Sequence, residues 1–200
     1  MKIKIDENKV RGLIFDCDGT LVDSMPLHFQ SWEFAFDQVN AVFRRDFFLT
    51  VSGMKETDVI HLYNKTFNNS LDADEIVRIK HDHFSGHIHK VLPFDKIVDV
   101  AAGYLGRLPL AVVSGSPESI VHGELDVLNI RHFFGIILTA SDPFTPKPAP
   151  DLFLEAARRM NISPENCLVF EDGDSGLIAA EKAGMQSIDV REILQETNLR

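Results

Sequence analysis

The sequence predicts an α/β fold, a doubly wound parallel-sheet core interrupted by a helical insertion. Three observations carry this expectation. Leu13-Ile14-Phe15 is an apolar run that ends in the polar stretch Asp16-Cys17-Asp18-Gly19-Thr20. After Thr20 the chain turns to helical patterns, and from Leu110 to about Val190 strand and helix alternate. Such alternation argues for a parallel sheet covered by helices.

In chain order, Val10 to Phe15 reads as a short apolar strand interrupted by Arg11 and Gly12, and Gly19 lets the chain turn away. Helical segments are expected at about residues 26–40, 56–67 and 73–90, with Leu27, Trp32, Phe36 and Val39 along one face of the first. Residues 91–95 read as a linker into a new helix. The alternation then runs through 110–113, 120–128, 135–139, 152–160, 168–170, 177–183 and 187–190, with Gly184 as a helix stop. The expected domains are therefore residues 1–23 with 92–200 as an α/β core, and 24–91 as the helical insertion.

A chain of 200 residues can bury a good core and fits one domain plus a modest insertion. Its 44% hydrophobic and 25% charged residues read as globular. A net charge of −10 argues against nucleic acid as a partner, because affinity for phosphate backbones rests on Lys and Arg. A small phosphorylated metabolite is still allowed, since a metal and one lysine can make a locally positive pocket. Met1 to Glu7 lacks an apolar core long enough for a signal peptide, and no apolar run approaches the length of a membrane span. Cys17 and Cys167 do not suggest a disulfide framework. A cytoplasmic protein without membrane partners is expected, its oligomeric state left open.

The paired aspartates carry the chemistry. In an open α/β sheet, ligands bind just beyond the carboxyl ends of strands. One carboxylate can attack there while its neighbour handles a proton, provided the local negative charge is neutralised. The alternative is a plain polar turn, where Asp and Gly are common. Three further pieces follow in order: Ala111-Val112-Val113-Ser114-Gly115-Ser116, Lys147-Pro148-Ala149-Pro150-Asp151, and Leu168-Val169-Phe170-Glu171-Asp172. Together the four pieces resemble the four motifs of the haloacid dehalogenase superfamily, in its phosphotransferase branch. The resemblance runs from about Gly12 to about Val190.

That resemblance implies a Rossmann-like core with a small α-helical cap inserted after the first motif, closing over the site to exclude water. It implies that Asp16 is the nucleophile, forming a phosphoaspartate, and also a metal ligand. Asp18 would be the acid/base and bind metal through its backbone carbonyl. The dehalogenase branch lacks that second acid, so phosphoryl transfer is preferred. Ser114 and backbone N–H groups near Gly115 would hold phosphate oxygens, and Lys147 would contact both phosphate and Asp16. Glu171 and Asp172 match the metal-binding acids, with Asp172 favoured as the direct ligand. A carboxylate attacking a dianionic phosphate meets strong repulsion, so a divalent cation is required, and Mg²⁺ suits oxygen ligands. Asp174 reads as an N-cap for the next helix, with a supporting role beside the metal-binding acids as the alternative.

Within the superfamily the chain most resembles the β-phosphoglucomutase-like group, which includes small bacterial fructose-1-phosphate phosphatases. His28 and Trp32 match positions at the start of the mutase cap, where the His acts near the acid/base; at i and i+4 they also read as packing partners. The segment Val51-Ser52-Gly53-Met54-Lys55-Glu56 keeps the turn glycine, Gly53, as a substrate-site candidate. Ser52 and Glu56 stand where a mutase has basic residues for its second phosphate, with Lys55, one residue away and on a different face, as the alternative source of charge, and Glu118 replaces an Asn. The expectation is a Mg²⁺-dependent phosphatase for a small sugar phosphate such as a hexose 1-phosphate, with fructose 1-phosphate as an example. A mutase is the runner-up, then a pyrophosphatase or a non-catalytic phosphate-binding protein. His83 and His87, at a spacing that can bind Zn²⁺, read instead as part of a solvated helix. Cys17 reads as a spacer: a thiol-phosphatase motif needs Arg where Asp23 stands. An EF-hand loop fails at Leu21 and Leu27.

Overall fold

The computed structural model describes residues 3, 5–51 and 54–195. The chain divides into two compact units, Met1–Asp23 with Leu92–Arg200, and Ser24–Val91. Its elements run β1 (Gly12–Phe15), β2 (Val22–Asp23), α1 (Met25–Gln38), α2 (Arg45–Thr50), α3 (Glu56–Phe67), α4 (Ala73–His87), β3 (Leu92–Pro93), α5 (Asp95–Tyr104), β4 (Leu110–Val113) and α6 (Glu118–Val127). They continue with β5 (Ile136–Leu138), α7 (Asp151–Met160), β6 (Cys167–Glu171), α8 (Asp174–Lys182), β7 (Gln186–Asp189) and α9 (Val190–Gln195). No helix among the described residues is long and apolar enough to cross a membrane.

The first unit is built on a parallel sheet of order β5-β4-β1-β6-β7. Its central strands are continuous apolar runs because helices cover both faces, and every residue of β1, β4 and β6 is buried. Gly12, which breaks the apolar run of the first strand, marks a close approach: a Cβ there would lie 2.7 Å from Ile162 Cδ1. Helix α7 buries Leu152, Phe153, Ala156, Ala157 and Met160, one face at helical spacing, against Ile14, Val113 and Val169. Each large side chain so buried contributes roughly 1.5–3 kcal/mol. Asn161 in the left-handed conformation ends that helix, and Gly184, at φ +73°, follows α8 as a stop.

Residues 91–95 are more than a linker. Leu92 and Pro93 form β3, antiparallel to β2, with Val22 opposite Pro93 and Asp23 opposite Leu92. A ladder of two residues carries no periodicity, so the sequence pattern could not show it. Helix α2 is a second unexpected element. Its six residues hold one buried side chain, Phe48, too few to make a helical stripe.

The second unit, Ser24–Val91, packs α1 against α4 and α3 around an aromatic cluster. Phe36 meets Phe43, Phe48 and Tyr63 edge-on, and the Tyr63 hydroxyl donates to the Val42 carbonyl. Asp72 caps α4 by accepting from the Glu75 N–H at 3.0 Å. Lys80 is buried in this unit, its Nζ 2.6 Å from Glu56 Oε1 and over the faces of Trp32 and Phe84. His81 hydrogen-bonds the other Glu56 oxygen.

Burial alone would push the Glu56 carboxyl up, but the His81 hydrogen bond and the Lys80 charge outweigh it and hold the group at about 2, against an ordinary 4.5. A depressed carboxylate adds stability above its ordinary value and loses it as pH falls through its folded value. The second unit is therefore expected to lose on the order of 2 kcal/mol, after allowance for the partial exposure of Glu56, between about pH 5 and pH 2. The chain's single tryptophan, Trp32, lies in this unit. Its fluorescence in denaturant titrations at several pH values reads the effect, which Glu56→Gln should remove. An equal acid sensitivity in both proteins would contradict it.

Candidate active site

The carboxyl ends of β1, β4 and β6, three adjacent strands, deliver the polar groups. Asp16 follows β1 and is buried, its N–H bonded to the Phe170 carbonyl of β6 at 2.9 Å. The loop after it closes on the Cys17 carbonyl, which accepts from Leu21 and Val22, and turns at Gly19 with φ +82°. Gly19 is needed twice over, since a Cβ there would lie 2.2 Å from Asp172 Oδ2. Thr20 completes the junction, its hydroxyl donating to Asp172 Oδ1 at 3.0 Å.

Lys147 stands between two acids. Its ammonium lies 2.6 Å from Asp16 Oδ1 and 2.6 Å from Glu171 Oε2, and all three side chains are buried. Glu171 is further fixed by accepting the Gly173 N–H at 3.0 Å on its other oxygen. Burial alone would push the Lys147 ammonium down, but the charges and hydrogen bonds of Asp16 and Glu171 outweigh it and hold it above its usual range. Burial and then the Glu171 charge push the Asp16 carboxyl well up. Burial and the Glu171 charge raise Asp172 to about 6. One ammonium thus faces more carboxylates than it can neutralise.

That excess is the fit test for a cation. Asp16, Glu171 and Asp172 offer carboxylate oxygens that all lie within 4.8 Å of one another, an all-oxygen donor set suited to a hard divalent ion. Glu171 has both oxygens committed to Lys147 and Gly173, whereas Asp172 is bound on one oxygen by Thr20. This favours Asp172 as a direct ligand and Glu171 as the residue that orients Lys147.

Asp18 takes a separate environment. Ser116 Oγ donates to Asp18 Oδ2 at 2.6 Å, and Ser114 Oγ accepts the Ser116 N–H at 3.0 Å. Ser114 is buried while Gly115 is exposed. The two aspartates are thus turned to different partners, Asp16 to a lysine and Asp18 to a hydroxyl. Cys17 between them is buried, its thiol donating to Glu124 Oε2 at 3.4 Å. Burial, then the Glu124 charge, pushes that thiol well up, away from the thiolate form that a nucleophilic cysteine needs.

The structure thus brings together Asp16, Lys147, Glu171 and Asp172, with Asp18 and Ser114 on neighbouring strand ends. His28 stacks on Phe84 at 4.3 Å within the second unit, and Trp32 is buried there against Phe48. Gly53 lies outside the described residues. Asp174 corrects an expectation: Gly173 is the N-cap, Asp174 is the first helical residue, and its carboxylate pairs with Arg191 at 2.8 Å.

Sequence reasoning missed Thr20, Ser116, Gly176 and Glu124. Glu124 had a signal, since it falls on the buried face of α6 with Ile120, Val121 and Leu125. Burial and then the Asp18 charge raise its carboxyl to about 10. Gly176 had none, because its role is a clearance. A Cβ there would fall 2.0 Å from Glu171 Oε2 and 2.6 Å from Glu171 Cγ. Gly176→Ala should push Glu171 off Lys147, costing about 2 kcal/mol of stability and on the order of 10²-fold in turnover. Urea melts and steady-state kinetics measure both; unchanged values would mean Glu171 can move without consequence.

The sequence model for haloacid dehalogenase-like hydrolases matches residues 13–190. The chain is 33% identical over 180 residues to the fructose-1-phosphate phosphatase YqaB of Escherichia coli, a match spanning 90% of this chain and 96% of that protein. It is 26% identical over 193 residues to the β-phosphoglucomutase of Bacillus subtilis, spanning 90% of this chain and 83% of that one. In fold it matches the crystal structure of a predicted phosphoglycolate phosphatase from Haemophilus somnus with a TM-score of 0.79 at 22% identity, covering 90% of this chain and 84% of the other.

Proposed function

Because this chain belongs to the haloacid dehalogenase-like hydrolases, we propose that it is a Mg²⁺-dependent phosphatase of small sugar phosphates, with a hexose 1-phosphate such as fructose 1-phosphate as the leading candidate. The observation that carries the reading is Lys147, held at 2.6 Å from both Asp16 and Glu171 while Asp18 is turned to Ser116. A nucleophile paired with a cation and an acid/base kept apart from it are what phosphoester hydrolysis by two carboxylates needs.

In this mechanism an Asp16 oxygen attacks phosphorus and the ester P–O bond breaks, while Asp18 protonates the departing sugar oxygen. Asp18, now ionised, takes a proton from water. That water attacks the phosphoaspartate at phosphorus, which releases inorganic phosphate and regenerates Asp16. Lys147 holds Asp16 in place and screens the phosphate oxygens. The Ser114 hydroxyl, whose oxygen accepts from Ser116, donates its own proton to a phosphate oxygen, together with backbone N–H groups near Gly115. A Mg²⁺ ion held by Asp16, Asp172 and the Asp18 carbonyl, with Glu171 beside it, would neutralise charge on the phosphoryl group. The segment 24–91 would serve as the cap that selects the sugar and excludes water.

The match to the E. coli fructose-1-phosphate phosphatase supports this substrate class, and the match to the B. subtilis β-phosphoglucomutase keeps a mutase as the second reading. A mutase needs free positive charge in the cap for a second phosphate. Here Ser52 and Glu56 stand where a mutase's basic residues would, and Glu56 is itself paired with Lys80, which favours the phosphatase. The test is a panel of sugar phosphates, pyrophosphate and an aryl phosphate, incubated with the protein and Mg²⁺ and assayed for released phosphate. Release is expected to be fastest from hexose 1-phosphates and to stop on chelation. No release from any compound would overturn the reading. Glucose 6-phosphate formed from β-glucose 1-phosphate with a bisphosphate primer would replace it with the mutase.

A further inference from the structure

The last strand of the sheet ends in an ion cluster that the phosphatase chemistry does not use. Arg191, in the first turn of α9, holds Asp189 at the end of β7 with a fork. Its Nε lies 2.9 and 3.0 Å from the two carboxylate oxygens, and its Nη2 lies 2.7 Å from Oδ2. The Arg191 backbone N–H also donates to Asp189 Oδ1, at 3.0 Å. The same Nη2 reaches Asp174 Oδ1 at 2.8 Å. One guanidinium thus ties together two carboxylates that stand on different elements.

The places of those carboxylates give the cluster its meaning. Asp189 stands opposite Glu171 in the β6–β7 register, so the fork is anchored beside the strand that delivers the metal-site acids. Asp174 opens α8, and only Asp172 and Gly173 separate it from Glu171. That short loop is fixed at its start, where Thr20 donates to Asp172 and the Gly173 N–H donates to Glu171. At its far end α8 begins with no side-chain cap, and helix ends without one fray. Arg191 holds that end through Asp174.

Exposed ion pairs ordinarily contribute little, because ordering two side chains offsets their attraction. Asp174 is exposed, but its partner is already ordered by Asp189, and a planar guanidinium matches carboxylates in a fork. Only the short Asp174 side chain is left to be fixed. We propose that Arg191 is a positioning residue for the metal-binding acids: through Asp174 it pins the start of α8 and so keeps Asp172 in place as a ligand. The proposal rests on the reading of Asp16, Glu171 and Asp172 as the Mg²⁺ site. It gives Asp174 a supporting part without making it a ligand.

Two effects of Arg191 on a bound cation have opposite signs. Its charge repels Mg²⁺, so as a charge alone its removal would tighten binding. As a clamp its removal weakens binding, because Asp172 then has to be ordered when the ion binds. Calorimetric titration of Mg²⁺ into the full chain, without substrate, separates the two. At about 0.15 M salt the repulsion is screened over about 8 Å. Arg191→Met should weaken binding by about threefold to tenfold, at the low end of what partners of metal ligands contribute. Arg191→Lys keeps the charge but loses the fork, and should weaken binding in the same direction. Unchanged or tighter binding in both variants, in a parent that binds Mg²⁺, would overturn the proposal and leave the metal site standing. A parent that binds no Mg²⁺ would remove the metal site and the proposal with it. Hydrogen exchange of the metal-free protein gives a second reading. The Gly173, Gly176 and Leu177 amides, all bonded within this loop and first turn, should exchange faster in Arg191→Met while those of β6 hold. Equal rates at the loop, or faster exchange throughout the first unit, would refute the clamp.

Discussion

Asp16→Asn is expected to lower phosphate release by on the order of 10³-fold or more while leaving the fold intact. The amide keeps the shape of the carboxylate but cannot attack phosphorus. Folding should be preserved because the substitution removes a charge from a crowded place. Asp16 is buried beside Glu171 and Asp172, and its carboxyl is already pushed up by burial and by Glu171. Lys147 keeps Glu171 as a partner. Denaturant midpoints of the variant should therefore equal or exceed those of the parent. Single-turnover assays with the best substrate of the panel give the decisive measurement: substantial retained turnover would exclude Asp16 as the nucleophile and with it the phosphoaspartate.

Lys147→Met should have the opposite signature, with both activity and stability lost. Removing one partner of a buried ion pair leaves the other uncompensated, at a cost of about 3–5 kcal/mol. Here the ammonium is shared by Asp16 and Glu171, so its loss leaves buried carboxylates facing one another. The lysine's folded value is raised above an ordinary 10.5, so its contribution is fully present below that pH and disappears only as pH rises beyond it. The lysine's own titration should accordingly leave the deficit in Lys147→Met unchanged across the neutral range, while protonation of the raised Asp16 carboxyl lessens it as pH falls. Mg²⁺ should restore part of it, because a cation among Asp16, Glu171 and Asp172 supplies the missing positive charge. Urea midpoints with and without Mg²⁺ measure both effects. An unchanged midpoint in the absence of Mg²⁺ would mean that the lysine does not hold these acids in solution.

The core was legible because its strands are short uninterrupted apolar runs, each ending in a residue with chemistry. Leu13–Phe15 ends at Asp16, Ala111–Val113 at Ser114, and Leu168–Phe170 at Glu171. The motifs could be placed without coordinates, since a parallel sheet brings all carboxyl ends to one edge. What stayed hidden depends on distance across the chain. Thr20 touches Asp172, Ser116 touches Asp18 and Glu171 fits over Gly176, and none of these leaves a local pattern. The two-residue ribbon of β2 and β3 and the six-residue α2 are too short to show a period. Trp32 illustrates a different difficulty. A tryptophan four residues after a histidine fits both a ligand site and a packed helix, and its place against Phe48 and beneath Lys80 was decided by tertiary partners.

The contact between Gly19-Thr20 and Asp172 joins positions 152 residues apart, and this bears on how the protein is made. The first motif leaves the ribosome early, yet its strand lies in the sheet between β4 and β6, both of which are synthesised much later. Until β6 has emerged, Asp16 lacks Glu171, and the turn at Gly19 lacks the carboxylate it was shaped to clear. A growing chain therefore carries Asp16, the proposed nucleophile, for most of synthesis without a site around it. On the proposed mechanism hydrolysis therefore depends on the finished sheet, because Lys147 can bridge Asp16 and Glu171 only once β1 and β6 have paired.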